Sequence, residues 1–186
     1  MTGLELRKDA LIEIAVVVTD GDLTVLGTGL DIVINTTDEL LDGMLPIVRD
    51  MHAASKLTDA VRASTVTIAQ AQDAVIAYLK TMGVEAGTAP LCGNSIATDR
   101  SFIARDMAEL DSYLHYRMVD VSSLKELARR WYPPVYFSQP AKGLAHRALA
   151  DILESIKELR YYRSTLFVAA PGPTNDQARA AAASLD

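Results

Sequence analysis

Histidine and aspartate are the side chains with which a protein moves protons and holds cations, and two segments of this chain carry them, an aspartate in each and a histidine in the second. One is Gly93-Asn94-Ser95-Ile96-Ala97-Thr98-Asp99, the other His146-Arg147-Ala148-Leu149-Ala150-Asp151. A histidine titrates near neutral pH, so His146 could take up a proton at cellular pH. An aspartate by itself is more often a solvated surface group than a ligand. The spacing adds a constraint. Residues five apart on a regular helix point about 140° away from each other. His146 and Asp151 can therefore share a site only if His146 sits ahead of the helix, on the loop after Lys142 and Gly143. A base on such a loop could swing in when substrate binds. Gly93-Asn94-Ser95 reads as the end of a strand before a helix, where exposed amides and a hydroxyl suit an anion or a sugar, or simply make a turn.

The elements that must position these residues follow from periodicity and turn signals. Residues 11–19 are apolar and β-branched, a strand, and Asp20-Gly21-Asp22 is a turn. Residues 23–26 and 30–34 return, with Gly27 and Gly29 marking a bulge or bend. Helices are predicted from Pro46, and from a capping box at Thr67 to about Met82 with Gly83 as its stop. A short strand over 89–93, helices over 99–107 and 109–114, and a strand over 117–121 come next. Ser123-Leu124-Lys125-Glu126 reads as a second capping box, for a helix ending before Pro133-Pro134. Residues 135–144 read as an irregular loop, 148–164 as the last strong helix, and 168–186 as a flexible or weakly helical tail beyond a domain of residues 1–167. A meander followed by alternating strands and helices is a mixed α/β sheet flanked by helices. Cys92 reads as a buried core thiol, Trp131 as packed, and Lys157-Glu158-Leu159-Arg160 as a solvated helix face.

With 49% apolar and 23% charged residues, the composition is that of a soluble globular protein. No apolar run approaches the roughly 20 residues of a membrane span, and no secretory leader is legible. A lone cysteine fits a reducing, cytoplasmic setting. The net charge of −6 argues against coating long nucleic acid, single- or double-stranded, which needs many phosphate contacts and a basic face. A very short oligonucleotide needs only a few local cations.

The two acidic segments, with Leu114-His115-Tyr116-Arg117-Met118-Val119-Asp120-Val121-Ser122-Ser123-Leu124-Lys125-Glu126-Leu127-Ala128-Arg129-Arg130-Trp131 between them, resemble the later motifs of the oligoribonuclease family, DEDD-type 3′→5′ exonucleases with a histidine five residues before the last aspartate. The resemblance covers roughly residues 1–167. It implies a ribonuclease-H-like exonuclease fold, with a mixed five-stranded sheet flanked by helices and a central first strand ending at Asp-x-Glu. Met1-Thr2-Gly3-Leu4 matches the Met-Thr-Gly-Leu that follows that motif, so the first two carboxylates and their strand are expected upstream of Met1, which would then be an internal methionine. Glu13, on the next strand, is not expected to replace them.

By the same resemblance Asp99 and Asp151 are metal-ligand positions for Mg²⁺ or Mn²⁺ and His146 is the general base. Ser95, Arg117 and Ser122 lie near a terminal phosphate, and Leu4 is a wedge against a base. His52 faces substrate, or else only the helix surface. Tyr116 reaches a neighbouring protomer's active site, or else is a core aromatic. Many relatives carry a stacking Trp where this chain has Ile47. The implied function is a homodimeric, metal-dependent exoribonuclease that cleaves di- and very short oligoribonucleotides to 5′-mononucleotides. The alternatives are a trimming or proofreading exonuclease of the same superfamily, and a non-catalytic nucleotide-binding remnant with two metal ligands fewer.

Overall fold

In a computed structural model of the chain, which describes residues 1–141, 143 and 147–185, β1 (Glu13–Thr19) and β2 (Val25–Val33) form an antiparallel hairpin. Asp20 builds the turn, its Oδ1 accepting from the N–H groups of Asp22 and Thr24 at 2.9 and 2.8 Å. The register slips between Val16 and Val18. Opposite that slip Gly27 and Gly29 take φ of +72° and +80°, the bulge that two glycines in a strand predict.

Helices α1 (Asp38–Asp42), α2 (Pro46–Ala54), α3 (Leu57–Ala63) and α4 (Ile68–Thr81) follow. The α4 capping box forms as predicted: Gln70 N–H donates to Thr67 Oγ1 at 3.2 Å and Thr67 N–H to Gln70 Oε1 at 2.9 Å. Next come β3 (Pro90–Gly93), α5 (Ala97–Asp106), α6 (Ala108–Tyr113) and β4 (His115–Asp120), which pairs with β3 in parallel. The chain continues through α7 (Val121–Trp131), α8 (Pro133–Phe137), α9 (Ala148–Leu166) and α10 (Asn175–Ala183). Helix α10 buries none of its residues. Among the described residues no helix is long and apolar enough to cross a membrane.

The mixed α/β class is as expected, and among the described residues the four strands stand as two separate pairs, β1–β2 and β3–β4. Among the described residues no strand lies between β1 and β3, so each hydrogen-bond ladder stops at its pair and the two strands face a common cleft. Helix α9 packs against β1, β2 and β3 and so spans the two sheets. The main core joins Leu11, Ile14 and Ile34 to Ala71, Val75 and Leu79, one face of α4, and to Phe102 and Ile103 of α5.

Local details depart from the sequence reading. Helix α7 begins at Val121 because Asp120 caps it, accepting from Ser122 N–H at 2.8 Å, while Glu126 pairs instead with Arg129 and Arg130. The first residues of the expected 135–144 loop belong to α8, which opens on two prolines. Cys92 is exposed: Leu91 turns to the core, and strand alternation sends Cys92 to the opposite face. Trp131 is 65% exposed because α7 ends there, beyond Ala128, the last residue the helix buries.

Phe102 fills the core beneath the cleft and is fully buried. Phe102→Ala is expected to cost about 4 kcal/mol, read as a lower urea-unfolding midpoint at unchanged slope; a loss below about 1 kcal/mol would mean the site collapses around the deletion.

Candidate active site

The cleft between β1 and β3 encloses about 510 Å³ and is lined by Asp99, Asp151, Leu4 and His52 among others. Asp99 lies in the first turn of α5 and Asp151 in the first turn of α9. Both helices therefore present their positive N-terminal ends where these carboxylates stand. Burial, above all, pushes the Asp99 carboxyl above its ordinary range.

Helix α9 starts without a side-chain cap of its own. Glu13 of β1, 8% exposed, supplies one. Its Oε2 accepts from Ala148 N–H at 3.0 Å and its Oε1 from Arg147 Nε at 2.6 Å. Glu13 thus faces the cleft but is engaged in pinning the helix that carries Asp151. His146 lies outside the described residues.

The segment carrying Leu4 is a closed loop. Thr2 N–H donates to Ala10 O at 2.9 Å, Ala10 N–H returns to Thr2 Oγ1 at 2.9 Å, and Asp9 Oδ2 accepts from Glu5 N–H at 2.8 Å. A Cβ on Gly3 would collide with that Asp9 carboxylate. Arg105 of α5 donates to the carbonyls of Leu6 and Asp9, fastening the loop to the helix that bears Asp99. Leu4 is left exposed at the rim. His52 is buried rather than on the helix surface, its Nε2 2.9 Å from the Met1 carbonyl. Ile47 is exposed and lies outside the cleft lining.

Ser95 and Ser122 are brought together, their hydroxyl oxygens 3.1 Å apart. Ser95 adopts φ of +56°, a left-handed conformation that costs a non-glycine residue about 1 kcal/mol. Of the amides of Gly93-Asn94-Ser95 expected to suit an anion, that of Ser95 is engaged: Asp120 Oδ1 accepts from Ser95 N–H at 2.9 Å, and also from Ser122 N–H at 2.8 Å. Tyr116 and Arg117 lie in the exposed middle of β4, outside the cleft lining. The Arg117 guanidinium stands 5.4 Å from the Tyr116 ring centre, and Tyr116, 74% exposed, is not a core aromatic.

The exonuclease family profile matches residues 1–159. The chain is 65% identical to the oligoribonuclease of Mycobacterium sp. (strain KMS), covering 100% of this chain and 86% of that protein. It is 65% identical to that of Rhodococcus jostii (strain RHA1), over 94% of this chain and 87% of the relative, and 60% identical to that of Nocardia farcinica (strain IFM 10152), over 100% and 86%. The chain belongs to the oligoribonuclease family of exonucleases.

Several residues that shape the cleft escaped the sequence reading. Glu13 had a local signal, a lone carboxylate in a β-branched run. Asn94 and Asp120 had none beyond their motif neighbours. Glu158 was assigned to a solvated face, yet it is 3% exposed, paired with Lys125 Nζ at 3.1 Å. Its neighbour Leu159 packs against the buried cluster of Val121, Ala128 and Tyr162, and Arg160 donates to the Leu23 carbonyl.

Removing Glu13 leaves the start of α9 without its acceptor and Arg147 with the longer contact to Asp31, 3.8 Å away. Glu13→Ala is expected to lower stability by about 3 kcal/mol in urea unfolding, and a change within 0.5 kcal/mol would show that water replaces the carboxylate at no cost. For Asp99 the folded pKa lies above the unfolded value, so its ionised form costs stability at neutral pH, and that cost vanishes as pH falls through the folded pKa. In EDTA, Asp99→Asn is therefore expected to be more stable than wild type at pH 7, with the advantage shrinking on acidification. Equal midpoints at pH 7 would mean that Asp99 is solvated like a surface acid.

Proposed function

We propose that the chain is a metal-dependent 3′→5′ exoribonuclease that cleaves di- and very short oligoribonucleotides to 5′-mononucleotides in the cytoplasm. The observation that carries this reading is the meeting of Asp99 and Asp151 in one cleft, in a chain of the oligoribonuclease family. Two carboxylates are hard oxygen donors of the kind Mg²⁺ and Mn²⁺ prefer, and the desolvated Asp99 gains by meeting a cation. Among the described residues no three His, Cys, Asp or Glu side chains converge. These two aspartates are the part of a metal site that the described residues supply. A divalent cation bound there provides charge relief at the phosphate and an acidified water.

The chain's own groups do the rest. His146 takes the proton of the attacking water. Ser95, Ser122 and Arg117 receive the terminal phosphate, so that a longer chain has no room to continue. Leu4 wedges against a base, and His52 both holds the Met1–Leu4 segment and faces the substrate. The net charge of −6 suits a ligand of few phosphates. Two copies pair so that Tyr116 of one completes the cleft of the other. The exposed Tyr116, Met118, Trp131 and Phe137 are the apolar groups such pairing would cover.

The test is release of AMP from the dinucleotide pApA with Mn²⁺ or Mg²⁺ and not in EDTA. Asp99→Asn and Asp151→Asn are expected to abolish release, and His146→Ala to lower kcat by about a hundredfold or more with pApA binding retained. A long single-stranded RNA is expected to compete poorly. Tight pApA binding without AMP release at any metal concentration would replace the hydrolase with a non-catalytic dinucleotide-binding protein.

A further inference from the structure

Behind the Ser95–Ser122 pair lies a buried polar chain that the proposed chemistry does not use. Glu158 of α9 is 3% exposed. Its Oε1 meets Lys125 Nζ of α7 at 3.1 Å and its Oε2 accepts from Asn94 Nδ2 at 3.2 Å. The Tyr162 hydroxyl donates to Gln139 Oε1 at 3.5 Å; burial first, then the Glu158 charge, push that phenol up to about 12. Asn94 Nδ2 donates as well to Ser155 Oγ at 2.9 Å, and Ser155 Oγ–H in turn donates to the Asp151 carbonyl at 2.9 Å.

An amide side chain can usually be turned end for end. At Asn94 it cannot, because turning it would set the carbonyl oxygen against the Glu158 carboxylate, two acceptors with no proton between them. The Asn94 Oδ1 is therefore held toward Ser122, whose Oγ–H donates to it at 3.1 Å. Ser122 Oγ then stands 3.1 Å from Ser95 Oγ. Asp120 holds the two serine backbones together through their amides, and this chain sets the direction of the Ser122 hydroxyl beside Ser95, whose backbone is at positive φ.

We propose that Glu158 is a positioning residue for the terminal-phosphate subsite, acting through the orientation of Asn94. It would set where Ser95 and Ser122 stand and tie that subsite to the helix carrying Asp151. The inference rests on the reading that those serines receive a terminal phosphate. It goes beyond that reading in assigning the preference for a phosphorylated end to a buried carboxylate that touches no substrate.

Calorimetric binding of pApA and of unphosphorylated ApA, in EDTA so that no turnover intervenes, tests both layers. In Glu158→Gln the replacement amide can face either end of Asn94. The pApA Kd is expected to rise about tenfold while the ApA Kd stays within about twofold, the scale of one charge-assisted hydrogen bond. Lys125→Met leaves the carboxylate facing Asn94; it is expected to lower Tm but keep the pApA-to-ApA ratio. If Glu158→Gln does not fold, Asn94→Ala removes the relay, leaves the Glu158–Lys125 pair in place and reads the same ratio. Wild-type protein that binds ApA as tightly as pApA removes the phosphate reading and the inference with it. Wild type that prefers pApA, with an unmoved ratio in Glu158→Gln or with equal weakening of both ligands, overturns the inference alone.

Discussion

A carboxylate taken out of water must be met by donors, and two buried carboxylates fasten helix α9 to opposite sides of the cleft. Glu13 reaches from β1 to the first N–H of α9 and to Arg147. Glu158, almost three turns further along α9, reaches Lys125 of α7 and Asn94 after β3. Since the strands stand as two separate pairs, no backbone ladder crosses from β1 to β3 among the described residues. Part of the joining is done through one helix, by a carboxylate of β1 at its start and a carboxylate of its own further along. Each contact is a charged acceptor on short, directional donors, which resists sliding in a way that apolar packing does not. Asp151 is placed in the cleft as a consequence of both.

The candidate site is held at a cost to stability. Asp99 is kept where burial disfavours its charge, and Ser95 is kept at positive φ. Neither arrangement would persist in a free segment. Arg105 anchors the 1–10 loop against α5, Asp120 takes both the Ser95 and Ser122 amides, and Asn94 locks the turn onto α9. Strain and desolvation gathered at one cleft, with the surrounding contacts over-determining the geometry, is the pattern of a site built for a ligand rather than for stability.

Charge is distributed to the same end. The acidic chain offers long nucleic acid little to hold. The cation assigned to the phosphate, Arg117, stands on an exposed strand beside an exposed tyrosine. A guanidinium over an aromatic ring keeps its charge and its outward donors while losing freedom. It is presented to whatever approaches β4, a small ligand or a second copy of the chain.

Features set by neighbours in sequence were legible. The Thr67 capping box, the Asp20 turn, the double-glycine bulge and the stop at Gly83 each depend on a few adjacent backbone groups, and they form where residue type predicts. The family motifs around Asp99 and Asp151 were legible for the same reason, as short runs of specific types. What the sequence could not decide was which face each element would cover. Glu158 looks like one member of a charged run, and only the packing of α9 onto α7 and the β3 turn buries it. Trp131 and Cys92 look like core residues, yet the end of α7 and the alternation of β3 turn them outward. Glu13 looks like a misplaced acid until Arg147, distant in sequence, arrives beside it. Hydrogen bonding over one turn is local and travels with the residues. Burial is a property of pairs of surfaces, and those pairs exist only once the chain has folded.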